Sequence, residues 1–398
     1  MKHRLTKLTI FQRYQNSYFA YFLMYNFYFL SWALFSTLIS VYLLDLGFRA
    51  SQVSMVVSVS FLASMVTQPL IGYLNDRFDS RFVTTILLGV TILGSLLMMS
   101  ARNIWWITLA HSLVLLIVNG TVPIMEKLAV SSPFSYGKIR IWGTIGFALG
   151  TQISGFIYDA ISPQAIFMAF ILTMILTILG TLGTEKSQKQ GPSTKGEDGK
   201  KVGLRTFLGN REFLGYLLLV FLFSGANNTG HTYIPAMLNQ EGMAVGLVTT
   251  VISISVICES PVTLFSNRFM DRLTSKTIFT AVIILIGLQY LVYWLPLDLT
   301  YKVLVTLLFK HTTGMVFIML NMKIVNSLVD KAVLITALSL VQTIRSLGSI
   351  TFQNISGFIL DHSSYNALFF FLLMTMVLSF IFLQFLRLPN GNEEALFR

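Results

Sequence analysis

Residues 163–183 read PQAIFMAFILTMILTILGTLG, and residues 184–211, which follow, read TEKSQKQGPSTKGEDGKKVGLRTFLGNR. The first stretch carries no charge and has the length a helix needs to cross roughly 30 Å of hydrocarbon. The second is polar, rich in Gly, Ser and Lys, and reads as a flexible linker. Working outward, further apolar runs precede the pair at 17–44, 51–74, 81–101, 104–130 and 137–158. Others follow at 212–237, 244–267, 277–296, 302–326, 332–360 and 364–387. The expectation is an all-α membrane protein of twelve transmembrane helices. Its N-terminal six-helix bundle covers 1–183, a cytoplasmic linker 184–211 and a C-terminal six-helix bundle 212–398.

Composition excludes the soluble alternative. Of 398 residues, 54% are hydrophobic and 11% charged, against roughly 25% charged in soluble domains. A single soluble core stops growing at about 250–300 residues, so lipid must cover most of this apolar surface. A transmembrane β-barrel would show alternating segments of about ten residues, which the chain lacks. Cys258 stands alone, so no intrachain disulfide forms. The first apolar run is too long for a signal-peptide core and has no small-residue cleavage site, so it is read as span one.

The net charge of +11 is distributed as the positive-inside rule asks. With the N-terminus inside, the cytoplasmic side collects Lys2, Arg4, Lys7, Arg13, Arg77, Arg81, the linker's seven basic residues, Arg268, Arg272, Lys276, Lys331, Arg387 and Arg398. The outer loops keep Arg49, Arg102 and Lys302. Both termini are therefore expected in the cytoplasm of a cell with this chain in its plasma or inner membrane. No nucleic-acid partner is needed to account for the charge.

The two halves repeat each other. Residues 154–159 read SGFIYD and residues 356–361 read SGFILD; in the same register Ala165 meets Ala367, Phe167 meets Phe369, Thr173 meets Thr375 and Met174 meets Met376. GYLNDRFDSR at 72–81 aligns with NRFMDRLTSK at 267–276, which sets Asp76-Arg77 on Asp271-Arg272. Duplicated bundles of this kind place a solute site near the bilayer midplane.

Gly72, Asp76, Arg77 and Arg81 resemble the loop-2/3 signature of the major facilitator superfamily, with Asp79 and Ser80 as departures. The resemblance implies the major facilitator fold, two six-helix bundles related by a pseudo-two-fold axis, and transport by alternating access. It also implies a gating role for Gly72, Asp76, Arg77 and Arg81, and for Asp271 and Arg272 in the second half, as a charged latch made in one state and released in the other. A solvated, positive-inside turn is the plainer alternative. Pro123-Ile-Met-Glu126 and Tyr136-Gly-Lys138-Ile-Arg140-Ile-Trp142 resemble a narrower branch, that of lactose permease-like oligosaccharide/proton symporters and phenylpropionate permease-like proteins. By that resemblance Glu126 and Arg140 grip sugar hydroxyls. The Glu259–Phe269 stretch and His311 resemble the same branch. Span five lacks the Gly-Pro pair common in drug exporters, which counts against efflux.

Charge in mid-membrane costs about 2.5–3.5 kcal/mol on insertion scales, so intramembrane ionisable groups are functional candidates. They are Glu126, Arg140, Glu259, Lys310, His311 and Arg345. Glu259 lies on a polar stripe with Ser255, Thr263 and Ser266, and a carboxylate removed from water there is the expected proton carrier. Arg345 on span eleven is its expected counter-charge, and His311 the expected relay. A static ion pair that fixes helix packing is the alternative for each. Lys310, in the outer third of span ten, is expected to snorkel to the interface.

Asn119, Pro123 and Glu126 share one face of span four. Tyr21, Tyr25, Tyr28 and Trp32 share one face of span one, suited to a sugar's apolar face or an aromatic ring, or simply to packing. Asn227, Asn228 and His231 on span seven either hydrogen-bond a polar solute or join helices. The expected substrate contacts are thus Tyr25, Asn119, Glu126, Arg140, Asn227, Asn228 and His231.

No metal-ligand cluster, phosphate-cradling loop or nucleophile–base spacing appears. The chain is expected to be no enzyme and to need no cofactor, an ion gradient, of protons, driving it. The expected partners are a small-molecule substrate, the proton and the lipid bilayer, and the expected unit is a monomer. The leading expectation is proton-coupled import of a sugar or oligosaccharide. A small, aromatic organic acid or a nucleoside stands second, followed by proton-antiport drug efflux and by a transporter-like sensor that binds without flux.

Overall fold

The computed structural model describes residues 14–185, 210–270, 272–329 and 333–388. Asp271, residues 186–209 of the expected linker, and Lys2, Arg4, Lys7, Arg13, Lys331 and Arg398 lie outside the described residues, as does the side chain of Asp76. In chain order the helices are α1 (Tyr18–Ser36), α2 (Ile39–Asp45), α3 (Ala50–Arg77), α4 (Ser80–Ser100), α5 (Ile104–Val130), α6 (Tyr136–Ala160) and α7 (Ala165–Gly183). After the linker come α8 (Arg211–Gln240), α9 (Val245–Leu264), α10 (Ser266–Met270), α11 (Ser275–Trp294), α12 (Leu299–Phe309), α13 (Thr312–Leu328), α14 (Leu334–His362) and α15 (Tyr365–Phe385).

Polar residues between the apolar runs start these helices. The side chains of Ser17, Asp79, Asn103, Asn210, Thr274 and Ser364 each accept a hydrogen bond from a backbone N–H in the first turn that follows. In lipid little else would satisfy the backbone, which is why the apolar runs between the caps are helical.

Three of the twelve spans are each made of two helices: α1 with α2, α9 with α10, and α12 with α13. The second break follows Pro261, which sits inside α9 and supplies no N–H. The third falls at Lys310 and His311. Among the described residues, ten spans are long and apolar enough to cross a membrane by length and composition. The other two, α6 and α14, each pack on a helix of the partner bundle, α6 on α9 and α14 on α3.

These two crossings are symmetric, and the SGFI-x-D repeat makes both. A Cβ on Gly155 would lie 1.8 Å from Thr249 Oγ1, and one on the equivalent Gly357 2.4 Å from Ser54 Oγ. Asp159 Oδ2 then accepts the N–H of Gly246 at 2.6 Å, and Asp361 Oδ1 that of Ser51 at 3.2 Å. Counting back from the Asp76/Asp271 match, Ser51 is the equivalent of Gly246, and Ser54 of Thr249. Within the bundles the equivalence is kept by exchange. Gly150 admits the backbone of Leu30, whereas at the corresponding place in the second half Gly225 admits the ring of Phe352.

One end of the molecule carries Arg77, Arg81, Arg268, Arg272, Lys276 and Arg387 and is called here the basic end. The hydrogen bonds joining the bundles cluster toward the other, far end. Ser40 Oγ donates to Thr232 O (2.5 Å), Ser54 Oγ pairs with Tyr233 Oη (2.6 Å), and Ser253 Oγ donates to Ala148 O (2.8 Å).

Candidate functional site: a cavity between the bundles

A cavity of about 400 Å³ lies between the two bundles at mid-span. The N-terminal bundle contributes Trp32, Ser60, His111, Asn119 and Phe147, and the C-terminal bundle Asn228, His231, Thr232, Lys310 and His311. At a liquid share of about 30 Å³ per water, it would hold about a dozen waters, room for a small organic solute.

The break in span ten shapes the C-terminal wall. Lys310 closes α12 and His311 opens α13, and the interrupted ladder turns both side chains to the cavity. Lys310 Nζ lies 3.0 Å from His231 Nδ1 and 3.2 Å from His311 Nε2. The two imidazoles meet edge-on, with centroids 5.1 Å apart. Lys310 is 5% exposed, so the expected snorkelling to the interface does not occur: the break redirects the side chain inward. His231 stands one turn before Pro235 on α8, where the missing proline N–H frees the His231 carbonyl. Asn228 Nδ2 donates to Ser349 Oγ (2.6 Å), and Gln353 Nε2 to Thr232 Oγ1 (2.6 Å), which ties this wall to α14.

On the N-terminal wall His111 is buried and stacked on Phe35, with centroids 5.5 Å apart. Its Nδ1 lies 2.7 Å from Ser60 Oγ, and its Nε2 has no hydrogen-bond partner. Asn119 Nδ2 donates to Ser64 Oγ (3.1 Å). Trp32, Phe147 and His311 form a run of edge-to-face rings across the bundle boundary.

Of the residues singled out in the sequence, Trp32, Asn119, Asn228, His231, Lys310 and His311 line the cavity. Asn227 stands just behind, its Nδ2 3.7 Å from where a Cβ on Gly314 would sit. Tyr25, Glu126 and Arg140 come together elsewhere, nearer the basic end. Glu126 Oε1 accepts from Tyr25 Oη (2.7 Å) and Oε2 from Tyr136 Oη (2.7 Å), with Arg140 Nε 3.8 Å from Oε1. Tyr21, Tyr25 and Tyr28 are fully buried, and their hydroxyls are spent on Asn16, Glu126 and the Val118 carbonyl. The span-one stripe is therefore packing, apart from Trp32.

Glu259 on α9 has Arg140 of the other bundle as its charged neighbour, and its carboxylate makes no hydrogen bond to a described residue. Arg345 is placed elsewhere, beside Tyr216 and donating to Gln342 Oε1 at 3.2 Å, so it is not the counter-charge of Glu259. The reason is that α14 and α9 each cross the opposite bundle and do not pack on each other.

At the basic end Arg77 donates to the hydroxyl of Tyr73 (2.7 Å) and Arg81 to the carbonyls of Leu182 (3.2 Å) and Thr184 (2.7 Å) at the end of α7. Nothing lies within 4 Å of a Cβ built on Gly72, and Arg272 is exposed. His111 and Lys310 are the cavity groups that sequence reasoning missed or misplaced. A signal for Lys310 was its neighbour His311, since two ionisable residues in succession cannot both reach an interface from one helix face.

Two bundles of membrane helices clasped at one end around a cavity that both of them line form the architecture of a membrane transporter. The chain belongs to the Major Facilitator Superfamily, whose sequence model matches residues 21–352. It is 23% identical over 258 residues to a probable 3-phenylpropionic acid transporter of Escherichia coli (strain K12), an alignment that spans 63% of this chain and 66% of that protein, just under two thirds. It is 22% identical over 382 residues to a maltose permease of Geobacillus stearothermophilus, covering 92% of this chain and 95% of the permease. Among solved structures, the nucleoside transporter NupG superposes with a TM-score of 0.79 at 16% identity, over 92% of this chain and 98% of that one. A POT family transporter in complex with 5-aminolevulinic acid superposes with a TM-score of 0.72 at 13% identity, over 92% and 95%. At such identities these two likenesses concern the fold.

Proposed function

We propose that the chain imports a small organic solute together with a proton, carrying it through the cavity between the bundles by alternating access. The observation that carries this reading is the cavity itself: polar groups from both bundles converge on it, while the bonds between the bundles gather at the far end. With the basic end taken as cytoplasmic, this is an inward-facing state with its outer side clasped.

The solute classes weigh differently against this cavity. The pair expected to grip a sugar, Glu126 and Arg140, does not line it. Lys310 and three histidines do, and no carboxylate is among the described lining residues. An organic acid therefore suits the site better than a sugar, in keeping with the Escherichia coli relative, a probable 3-phenylpropionic acid transporter.

Coupling falls to Glu259 and Arg140. They lie on α9 and α6, the two helices that cross at Gly155 and Thr249, close enough to interact electrostatically. Rocking one bundle on the other about that crossing changes their separation, and with it whether Glu259 keeps a proton. The test is proteoliposomes with a pH-sensitive dye inside, offered sugars, nucleosides and aromatic acids, for wild type and Glu259→Gln. The reading expects internal acidification with an acid class, lost in the variant beyond what passive permeation of the acid gives. Acidification that persists unchanged in Glu259→Gln would remove the proton from that residue, and gradient-driven dye extrusion would replace import by efflux.

A further inference from the structure

Lys310 is a charge in the cavity that no carboxylate among the described residues answers. An ammonium has three N–H donors; two reach His231 Nδ1 and His311 Nε2. With Lys310 protonated, both acceptors are bare ring nitrogens, each imidazole is neutral and the cluster carries one positive charge. An anionic solute beside it favours that protonated form. Neither ion pair among the described residues, Arg140 with Glu126 and Lys302 with Glu241, supplies a counter-charge. A buried cation without one is costly, and an anionic group on the solute removes that cost. Beside the cluster the wall is apolar and aromatic, with Phe147 6.1 Å from His311 and Trp32 6.2 Å from Phe147, ring centre to ring centre.

The opposite wall holds a second unanswered group. Ser60 Oγ lies 2.8 Å from Val56 O, 2.7 Å from His111 Nδ1 and 3.2 Å from Ser112 Oγ, which leaves His111 Nε2 as the ring nitrogen without a partner among the described residues. That nitrogen is buried and unpartnered, on a residue that is 1% exposed and lines the cavity. It calls for a partner, and a ring hydroxyl, which can donate or accept, is the partner an aromatic solute would bring to either tautomer.

We propose that the solute is an aromatic monocarboxylate bearing a ring hydroxyl, its carboxylate held by Lys310 between His231 and His311 and its hydroxyl by His111. The proposal rests on reading the cavity as the solute site. Calorimetric titration of the purified full chain tests it, with 3-phenylpropionate, its amide and the ring-hydroxylated 3-phenylpropionates as probes. In wild type the acid should bind at least tenfold more tightly than the amide, and one hydroxylated isomer more tightly still. Lys310→Gln should erase the preference for acid over amide, and Lys310→Arg should keep part of it. His111→Phe, which retains the stack on Phe35, should bring the hydroxylated acids to the affinity of the parent acid measured in the same variant.

Equal binding of acid and amide, no binding of any acid, or a hydroxyl preference that survives His111→Phe overturns the proposal. Its failure is distinct from failure of the transport reading. Liposome flux of uncharged solutes, indifferent to Lys310→Gln, would sink the site and leave transport standing. The expected binding pattern without flux would keep the site and sink transport.

Discussion

Asp159 on α6 accepts the backbone N–H of Gly246, the second residue of α9 in the other bundle, at 2.6 Å. Its equivalent Asp361 does the same for Ser51 at the start of α3. A carboxylate at a helix N-terminus is favoured by about 1 kcal/mol through the unpaired N–H groups there. Here each carboxylate comes from the opposite bundle, so that energy holds the far end shut. Asp159→Asn should loosen it roughly fivefold, since the amide keeps an acceptor and loses the charge. In a Cys258→Ala background, a cysteine at Ser253 should label correspondingly faster with a membrane-impermeant maleimide, and faster again with Asp361→Asn added. Unchanged labelling would deny the clasp any part in gating.

The glycines beneath the clasp give a steeper version of the same experiment. A methyl group on Gly155 has no room against Thr249, nor one on Gly357 against Ser54. Gly155→Ala or Gly357→Ala should therefore hold the far end open, with labelling at the Ser253 position at least tenfold faster. The intact fold is to be checked by circular dichroism. A variant that labels at the wild-type rate would place the pivot elsewhere.

Glu126 distinguishes a structural acid from a substrate-binding one. Its two oxygens hold Tyr25 and Tyr136, and it does not line the cavity. Glu126→Gln should cost about 1–3 kcal/mol of stability, seen as a Tm lower by a few degrees, with solute affinity within twofold of wild type. A large loss of affinity at unchanged Tm would return Glu126 to the substrate role its sequence context implies.

Arg140 and Glu259 should act as a unit in coupling. Proton-driven accumulation should fall in Arg140→Gln and in Glu259→Gln, and the double variant should be no worse than the more severe single one, because a shared interaction is lost only once. Additive losses would mean two independent roles.

Sequence made the architecture legible because lipid imposes it. Apolar runs of fixed length, capped by Ser, Asn and Asp, leave little choice but helices, and the duplicated motifs disclose the two-fold. What the motifs touch was not legible. SGFIYD and SGFILD announce equivalence, whereas their partners Thr249, Gly246, Ser54 and Ser51 lie on helices of the other half and share no pattern with them. The site was half legible. Asn119, Asn228, His231 and His311 are polar residues in apolar helices and were found as such. Lys310 was misplaced because position along an unbroken helix pointed it to the interface, and the break at Lys310–His311 has no proline to betray it. His111 was missed because one imidazole in a long apolar run resembles a satisfied core residue until its Nε2 is seen without a partner.

The claim on which the account rests is that a solute crosses the membrane through the cavity between the bundles, and entrance counterflow tests it most directly. Proteoliposomes preloaded with an unlabelled ring-hydroxylated 3-phenylpropionate are diluted into a trace of the labelled compound, with no ion gradient. The account expects a transient accumulation of label above the level in protein-free liposomes, at least tenfold smaller with Lys310→Gln. No accumulation above protein-free liposomes, with any acid, sugar or nucleoside in the panel, would contradict it.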